Sequence, residues 1–410
     1  MKVVLNGLSL VYPISGVGQY TLHLGRSLGT LLGPENVYWY GKDFRQKNDP
    51  YSNQNGSIFF HQIQYSMKKV LRKIPGFTTY VHVRRNRQFQ SFTQRLKPSL
   101  YHETKYALFD FNDGPTIVTI YDLSFLRHPE WHPIDRVKHF EKFCLKKLSR
   151  VEAIITISEF SRKEISDLLT IDPTKIHVTP LGIDTSFHPG RDRLEGLPDQ
   201  YILFLGNLEP RKNLPRLMAA YQSLPQPLRR RYPLVIAGAK GWGTKEVKEI
   251  LPSFRREERP IFTGYMPQSL LPSLYRGASL FVYPSLYEGF GLPVLEAMAS
   301  GVPVIASDST SLPEVVGDAG VLVNPYDVDD LKEAMMELLE DEKKRLEMAE
   351  KGIVRAKLFS WEKCARQTLS VYEMVLGRRG STLTKSAGIR RKAHFQKAKK
   401  CNMQCVSNLR

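Results

Sequence analysis

The sequence predicts an α/β protein that contains two parallel β-sheets. Apolar strand-like runs alternate with helical patterns along most of the chain, and this alternation is typical of parallel sheets. Within the runs, apolar residues follow one another without polar interruptions, as expected of strands that are buried on both faces. A chain of 410 residues, of which 42% are hydrophobic, is long enough for two domains of this kind. We therefore predict two Rossmann-like domains.

Thirteen strands are predicted from these runs, seven in the N-terminal half and six in the C-terminal half. The first set comprises residues 2–6, 37–40, 58–63, 99–102, 116–121, 153–157 and 176–179. The second set comprises residues 201–206, 234–238, 261–263, 280–283, 304–307 and 321–323. A polar, proline-containing stretch at about 184–198 separates the two sets and is interpreted as an interdomain linker.

The segment 285–301 (SLYEGFGLPVLEAMASG) predicts an anion-binding loop after a buried strand. Gly289 and Gly291 have no Cβ, so the backbone can approach a ligand closely. A helix that begins there directs free N–H groups and the positive end of its dipole towards an anion. Glu288 in the loop and Glu296 near the first turn need partners that carboxylates bind without repulsion, and sugar and ribose hydroxyls fit. The segment therefore indicates a nucleotide-sugar site.

A second segment, 206–213 (GNLEPRKN), follows a strand that ends in glycine. Arg211 and Lys212 are placed at the carboxyl end of this strand, where open α/β sheets bind their ligands. A guanidinium acts as a bidentate fork and an ammonium as a point charge, so the pair can neutralise a diphosphate. The alternative is a solvated Arg-Lys pair at a helix start, but the position after the strand favours a functional role.

Together, these and five further segments resemble the retaining, metal-independent family 4 glycosyltransferases of the GT-B type. The similarity is greatest to the bacterial mannosyltransferase-like branch that builds surface polysaccharides. The other segments are 16–18 (GVG) with Tyr20, 119–125 (TIYDLSF), 156–161 (TISEFS), 180–184 (PLGID) and 238–242 (GAKGW). The resemblance extends over about 2–376. It implies two Rossmann-like domains that face each other across a cleft, and a C-terminal helix that crosses back to the N-terminal domain.

The resemblance also implies roles for individual residues. Arg211 and Lys212 would bind the donor diphosphate and stabilise its leaving charge. Glu288 would contact the transferred sugar, and Glu296 would bind the ribose hydroxyls. Further donor-binding positions are expected in the glycine loop, at the strand ends, in the helix start and beside the base: Gly16, Gly18, Gly206, Gly289, Phe290, Gly291, Leu292, Tyr265 and Met266.

One position departs from the pattern of the branch. Tyr121 stands before Asp122 where the branch has a histidine that is thought to hydrogen-bond the donor sugar. A tyrosine cannot serve as a cation near neutral pH, because its unperturbed pKa is about 10. Either its phenol keeps the sugar contact or His102 moves in from the neighbouring strand end, although His102 is equally well explained as a structural histidine. Asp122 is expected to orient the acceptor side of the cleft, or else to cap the strand end.

By this resemblance, residues 1–184 form an acceptor-binding domain and residues 185–358 a nucleotide-sugar-binding domain. Residues 359–377 form the crossover helix, and residues 378–410 a basic tail that is predicted to be disordered. The expected reaction is the transfer of a hexose, mannose from GDP-mannose, to a glycan or a polyprenyl-diphosphate-linked saccharide with an α linkage.

Two alternatives to this reaction stay open. The first is a non-catalytic nucleotide-sugar-binding relative, for which Tyr121 would be the mark of lost catalysis. The second is a nucleotide-sugar 2-epimerase of the same fold, against which the 209–213 segment and the glutamate pair argue. The non-catalytic alternative is disfavoured because the chain keeps all four residues of the donor site: Arg211, Lys212, Glu288 and Glu296.

The net charge of +18 is unevenly distributed. Residues 378–410 contain ten Lys or Arg and no acid, and residues 61–100 contain nine and no acid. In the second segment the basic residues are interleaved with apolar ones, which suits an element that contacts anionic lipid headgroups; a solvated helix face is the alternative. We predict a cytoplasmic enzyme, peripheral at the inner face of the plasma membrane, without a specific nucleic-acid partner.

No cofactor or metal ion is expected. The Asp-Val-Asp triplet at 327–329 stands at a predicted helix start, where aspartates cap backbone N–H groups, rather than at a strand tip. Cys144 and Cys364 are interpreted as helix residues of a reduced protein, and the pair within 401–405 lacks two further metal ligands. No apolar run approaches the roughly 18 residues of a membrane span, and the N-terminal residues show no export signal.

Overall fold

The computed structural model describes residues 1–10, 14–41, 76–239, 241–242 and 245–378. Its framework is two six-stranded parallel sheets. The first sheet contains β1 (Val3–Asn6), β2 (Val37–Tyr40), β3 (Leu100–Glu103), β4 (Thr116–Thr119), β5 (Ala153–Thr156) and β6 (Ile176–Val178). The second contains β7 (Tyr201–Leu205), β8 (Leu234–Ala237), β9 (Ile261–Gly264), β10 (Ala278–Tyr283), β11 (Val304–Ser307) and β12 (Val321–Val323). The strand predicted at 58–63 lies outside the described residues, and the other twelve predictions are confirmed.

Five helices described in the first part of the chain are α1 (Gly16–Leu32), α2 (Phe77–Leu96), α3 (Ser124–Arg127), α4 (Ile134–Phe143) and α5 (Glu159–Leu169). The later helices are α6 (Leu214–Gln222), α7 (Gln226–Arg231), α8 (Lys245–Ile250), α9 (Leu271–Gly277), α10 (Leu292–Ala299), α11 (Leu312–Val316), α12 (Val328–Glu340), α13 (Glu342–Ala356) and α14 over 361–378. None of the helices in the described ranges combines the length and the apolar character needed to cross a bilayer.

The order of the strands in each sheet decides where ligands can bind. The first sheet runs β2-β1-β3-β4-β5-β6 and the second β12-β11-β10-β7-β8-β9. In the second sheet β7 and β10 are neighbours, and the chain leaves them in opposite directions across the sheet. Such a reversal opens a crevice at the carboxyl ends of the two strands, and doubly wound sheets bind their ligands there.

Continuously apolar strands form the cores of both sheets, as their sequences predicted. All the residues of β1, β4, β7 and β8 are buried. Helix α1 presents one face to the first sheet, with Tyr20, Leu24 and Leu28 fully buried at a spacing of four residues. Each fully buried side chain of this size stabilises the fold by about 1.5–3 kcal/mol.

Helix α14 returns to the N-terminal sheet, which confirms the predicted crossover. The ring of Trp361 stacks on His23 at 4.9 Å and packs against Tyr20 at 6.4 Å. A Cβ at Gly182 would lie 2.0 Å from the backbone nitrogen of Trp361, so the chain can pass there only because residue 182 is glycine. The domain bounds at 184 and 358 stay predictions, and residues 379–410 of the tail lie outside the described residues.

Candidate active site

The residues singled out in the two main motifs meet at the reversal point of the second sheet. Arg211 and Lys212 follow β7, and Glu288 follows β10. Because these two strands are hydrogen-bonded neighbours, the loops that leave them are brought side by side. The strand order therefore unites residues that are about 76 positions apart in the chain.

Glu288 is held between two cations. Its Oε1 accepts a hydrogen bond from Lys212 Nζ at 2.5 Å, and its Oε2 accepts one from Arg211 Nη1 at 3.0 Å. Arg211 Nε donates in turn to Glu209 at 2.9 Å, and Lys212 Nζ also donates to the Tyr283 hydroxyl at 2.5 Å. The side chains of Lys212 and Glu288 are only 8% and 9% exposed. The result is a buried cluster of two cations and two carboxylates.

Mutual attraction opposes the effect of burial in this cluster and keeps Glu288 ionised. Burial alone would raise the pKa of Glu288, but Lys212 and Arg211 outweigh it and hold the pKa at about 2. Burial would likewise lower the pKa of Arg211, and Glu288 with Glu209 instead raises it. For Lys212, burial and the neighbouring Arg211 lower the pKa against the attraction of Glu288. We conclude that Glu288 is a carboxylate at neutral pH and that it balances the two cations together with Glu209.

The loop after Glu288 leads into α10 through a backbone that only glycine permits. Gly291 has φ +106 and directly precedes the helix, whose first turn contains a proline. A Cβ at Gly289 would lie 2.3 Å from the carbonyl oxygen of Tyr121, so the loop presses against the other sheet. Phe290 buries its ring against Phe359, with ring centroids 5.8 Å apart. Pro293 has no N–H and Val294 donates to the Gly291 carbonyl at 3.0 Å, so it is the Leu292 N–H that stays available for an anion at this helix start.

Glu296 lies in the second turn of α10 and is 6% exposed. Its Oε2 accepts a hydrogen bond from the Tyr275 hydroxyl at 2.9 Å. Burial raises the pKa of Glu296 to about 8, although the Tyr275 bond acts in the opposite direction. Two glutamates eight positions apart therefore have opposite character, Glu288 ionised and Glu296 largely protonated near neutral pH.

Asp122 approaches the cluster from the first sheet. Its Oδ1 accepts from the Ser124 amide at 3.1 Å and from the Ser124 hydroxyl at 2.8 Å, so it binds the first residue of the short helix α3. Its charge also contributes to the raised pKa of Arg211, and the carboxylate therefore acts on the cluster across the cleft. The bonds to Ser124 are observed, whereas the orientation of an acceptor by Asp122 stays a prediction.

Tyr121 and His102 both use their polar atoms inside the protein, which disfavours the sugar contact considered for them. The Tyr121 hydroxyl donates to the Thr104 carbonyl at 2.8 Å, and the side chain is buried. The two ring nitrogens of His102 pair with the Tyr372 hydroxyl at 2.6 Å and with Thr119 Oγ1 at 2.7 Å. Burial lowers the pKa of His102 to about 3. These contacts favour the structural interpretation of His102 and a packing role for the Tyr121 phenol.

The remaining predicted positions have different local surroundings, and their role in donor binding stays a prediction. Gly16 begins α1 and has open space where a Cβ would point, whereas a Cβ at Gly18 would lie 2.9 Å from the carbonyl of Ser9. Gly18 is therefore needed for packing, and Gly16 leaves room for a ligand. Gly206 directly follows β7 and donates its N–H to the Ala237 carbonyl at 2.9 Å. Tyr265, 41% exposed, and the partly buried Met266 follow β9.

Several contacts close the cleft between the two sheets, and the sequence interpretation missed them. The Glu314 carboxylate accepts the backbone N–H groups of Glu159 and Phe160, at 2.8 and 2.7 Å, at the start of α5. The Trp242 indole N–H donates to the carbonyl of Trp131 at 2.6 Å. Residues 156–161 and 238–242 were noticed as motifs, but nothing in their sequence indicated that they bind across the cleft.

Glu209, Tyr283 and Thr310 are site residues that sequence reasoning also missed. Glu209 lies within the 206–213 motif, so its carboxylate beside Arg211 was a signal available in the sequence. Thr310 has φ +58, unusual for a residue with a branched side chain, and its Oγ1 accepts the backbone N–H of Glu288 at 3.1 Å. This strained threonine fixes the loop that carries the central carboxylate.

Two facing Rossmann-like sheets with a cationic pair at the reversal point define the architecture of the GT-B glycosyltransferases. Residues 191–355 match the family described as Glycosyl transferases group 1, and residues 14–187 match Glycosyltransferase Family 4. O-antigen chain mannosyltransferase B of Escherichia coli is 35% identical over 392 residues, which cover 92% of this chain and 100% of that protein. The chain therefore belongs to the family 4 glycosyltransferases, and it is an enzyme of that class.

Other relatives agree with this membership. The serotype-specific mannosyltransferase WbdA of Escherichia coli is 32% identical over 275 residues, 64% of this chain and 34% of that longer protein. The sucrose-phosphate synthase from Thermosynechococcus elongatus has a TM-score of 0.69 at 20% identity and covers 92% of this chain and 100% of its own. HepE from Anabaena, solved with UDP and glucose, has a TM-score of 0.65 at 16% identity and covers 91% and 99%. At these identities the two structures show the fold alone.

Proposed function

We propose that the enzyme transfers mannose from GDP-mannose to a glycan acceptor, with retention of the α configuration and without a metal ion. The observation that carries this proposal is the buried cluster of Arg211, Lys212 and Glu288 at the reversal point of the second sheet. The choice of mannose and of a surface-polysaccharide glycan is supported by the O-antigen mannosyltransferase that matches the chain along its length.

In this proposal the donor diphosphate lies between the two cations and the first turn of α10. The bond from the sugar C1 to the diphosphate oxygen breaks, and Arg211 and Lys212 stabilise the charge that develops on that oxygen. The acceptor hydroxyl attacks C1 from the same face and passes its proton to the departing diphosphate. Removing one donor of this kind from a transition state typically costs a factor of about 10²–10³ in rate.

The proposed metal independence rests on the hydrogen-bond donors at the site. Glu288 and Glu209 offset the charges of Arg211 and Lys212, but both cationic side chains and the Leu292 amide at the start of α10 can donate to phosphate oxygens where a divalent ion would otherwise bridge them. The Asp-Val-Asp triplet is used elsewhere, since Asp327 accepts from the amides of Asp329 and Asp330 and caps α12. The nucleotide is anchored by Glu296, whose carboxyl group we assign to the ribose hydroxyls.

The test is a transfer assay in EDTA with a panel of nucleotide sugars and a mannoside acceptor. We expect GDP-mannose to be used and the product linkage to be α by its NMR coupling constant. Lys212→Gln should lower the rate about 10²–10³-fold. The matched control is Lys163→Gln, because Lys163 lies on the surface with 78% of its side chain exposed.

Each part of the proposal has a result that contradicts it. Use of another donor would contradict the assignment of GDP-mannose. Loss of activity in EDTA would contradict a metal-free mechanism, and a β-linked product would exclude retention. Conversion of GDP-mannose without an acceptor would favour the epimerase alternative. Binding of a nucleotide sugar with no turnover by any donor would favour the non-catalytic alternative.

We also propose that α2 contacts anionic lipid and holds the enzyme at the membrane surface, where a lipid-linked acceptor would be available. Tyr80 and Val83, 63% and 44% exposed, lie beside the exposed Arg84 and Arg87 at helical spacing on one face. Each basic residue near an anionic surface contributes about 1 kcal/mol. The remainder of the predicted lipid-binding region, 61–75 and 379–410, lies outside the described residues.

Vesicle sedimentation tests this contact. We expect the full chain to bind vesicles that contain phosphatidylglycerol more tightly than neutral vesicles, and Arg84→Glu with Arg87→Glu to lower that binding at least about tenfold. Arg162→Glu with Lys163→Glu, on the exposed face of α5, is the charge-matched control. Equal binding of the two double variants would contradict a role for α2.

A further inference from the structure

His132 is a buried histidine without an internal partner. It lies just before α4, it is 8% exposed, and neither Nδ1 nor Nε2 has a hydrogen-bond partner among the described residues. Buried polar atoms in folded proteins are almost always paired, because an unpaired one forfeits its hydrogen bonds to water. His102 shows the usual solution in this chain, since both of its ring nitrogens are bonded within the protein. The nitrogens of His132 therefore indicate an external partner.

The ring lies at the seam where the two sheets meet. Its centroid is 6.3 Å from that of Phe125 and 6.4 Å from that of Trp242. The Trp242 indole crosses the cleft to bind the carbonyl of Trp131, the residue directly before His132. Closure of the cleft therefore places an indole from the second sheet beside an imidazole from the first.

The charged groups that act on His132 belong to the active site and to its own helix. Burial has the largest influence and lowers the pKa of His132. Arg136 on α4 and Arg211 lower this pKa further. Asp122 and Glu209 raise it. The resulting pKa is about 4, so the imidazole is neutral in the physiological range. A neutral imidazole offers one donor and one acceptor.

This chemistry distinguishes His132 from the diphosphate site. A phosphate oxygen requires donors only, and Arg211 and Lys212 already provide them. A sugar hydroxyl both donates and accepts, and so matches a neutral imidazole, while the partly exposed indole of Trp242 suits the C–H surface of a sugar ring. His132 thus has the character of a sugar-binding group beside the catalytic cluster.

We propose that His132 binds a hydroxyl group of a sugar ring in the closed cleft, at a position that the motifs of the chain did not indicate. The sugar is either the transferred hexose or the terminal residue of the acceptor, and both present the same hydroxyl chemistry. The inference rests on the proposed transferase function and adds a residue that selects and orients its substrate.

Two variants test the proposal, with GDP-mannose as donor and methyl α-mannoside as acceptor probe. His132→Phe keeps the size and aromatic character of the ring but removes both polar atoms, and we expect it to lower kcat/KM about tenfold to hundredfold. His132→Gln keeps one donor and one acceptor, and we expect it to recover most of the loss. His177→Phe is the control, because His177 is a partly buried histidine on β6 with an unpaired Nε2 away from the site.

The kinetics also distinguish the two sugars. A higher KM for methyl α-mannoside with unchanged hydrolysis of GDP-mannose would assign the contact to the acceptor. Slower hydrolysis without acceptor would assign it to the transferred hexose. Unchanged kinetics in His132→Phe, or equal losses in the Phe and Gln variants, would overturn the proposal.

An NMR measurement separates failure of this inference from failure of the proposed function. In the ¹⁵N-histidine-labelled full chain, the His132 resonance, assigned by its loss in His132→Gln, should shift on addition of GDP-mannose or methyl α-mannoside but not of GDP alone. If the wild type transfers mannose and no sugar moves this resonance, only the inference fails. If no donor supports transfer but a sugar still shifts the resonance, the contact stands and the proposed reaction fails.

Discussion

Replacing Glu288 by glutamine tests the charge balance of the active site. The substitution keeps the size of the side chain and removes one negative charge from between Lys212 and Arg211. In the wild type, Lys212 Nζ and Arg211 Nη1 each bond one oxygen of the carboxylate, at 2.5 and 3.0 Å. In the variant one of these cations must face an amide NH₂ group, and both stay buried with less compensation. Removing one partner of a buried ion pair typically destabilises a protein by about 3–5 kcal/mol.

The pKa of Glu288 gives a second estimate of the same quantity. The folded-state value of about 2 lies below the ordinary value of 4.5. At 1.36 kcal/mol for each pKa unit, this difference corresponds to about 3 kcal/mol. Because the folded pKa is the lower one, the stabilisation is present above about pH 4.5 and is lost as the pH falls towards 2. For a domain of roughly 150–250 residues, about 3 kcal/mol lowers the Tm by about 6–12 °C.

Thermal unfolding with and without GDP measures the effect. We expect Glu288→Gln to lower the Tm by this amount near neutral pH, and to respond less than the wild type to acidification. GDP should restore more of the Tm in the variant, because its phosphates supply negative charge to the same two cations. The control is Glu347→Gln on α13, whose side chain is 60% exposed. An unchanged Tm with full transfer activity in Glu288→Gln would refute the reasoning.

Three further predictions follow from single contacts. Because the pKa of Glu296 is about 8, we expect the nucleotide affinity of the wild type, measured by calorimetry, to rise from about pH 7 to 9. The affinity of Glu296→Gln should not change over this range. The same raised pKa makes the wild type lose folding stability as the pH rises from about 4.5 to 8. Tyr121→Phe loses the bond to Thr104, so we expect thermal unfolding to show a free energy of unfolding that is lower by about 1 kcal/mol. The transfer rate should stay within about twofold of the wild type. A hundredfold loss of rate would restore the sugar-contact hypothesis. In Gly289→Ala the new Cβ would lie 2.3 Å from the Tyr121 carbonyl and would keep the cleft from closing. We therefore expect this variant to bind GDP but to transfer about 10²-fold more slowly, and to show a larger radius of gyration in solution scattering. Normal transfer by the alanine variant would show that the cleft closes differently.

Much of the second sheet could be predicted because its information is local. The apolar runs of β7 and β10 identify buried strands, and Gly291 identifies a backbone that side chains disfavour. Arg211 and Glu288 both follow parallel strands, and the carboxyl ends of parallel strands lie at the same edge of a sheet. The two residues are therefore expected at that edge. Periodicity does not reveal that β7 and β10 are neighbours, however, because strand order is decided by packing between elements that are distant in the chain.

The missed residues act through contacts between segments that are far apart. Tyr283 is buried in a strand, so its sequence context indicates only a core residue, yet its hydroxyl accepts from Lys212. Glu314 resembles any first-turn glutamate of a helix, but it binds the start of α5, 154 and 155 positions away. His132 has no motif at all. Its importance becomes visible only when both ring nitrogens are found buried and unpaired.

The side chain and the backbone of Tyr121 have different roles, and this difference explains why a tyrosine is tolerated where the branch has a histidine. The phenol packs edge-on against Tyr20 and Tyr106, with ring centroids 5.3 and 5.7 Å away, so it belongs to the interior of the first sheet. The backbone carbonyl of the same residue faces the cleft, where it accepts from Ser161 Oγ at 3.0 Å and meets Gly289. A carbonyl is supplied by any residue, so closure of the cleft does not depend on a histidine at this position. The Tyr121 hydroxyl is already bonded to the Thr104 carbonyl, and we propose that the unpaired imidazole of His132 provides the polar group for the sugar instead.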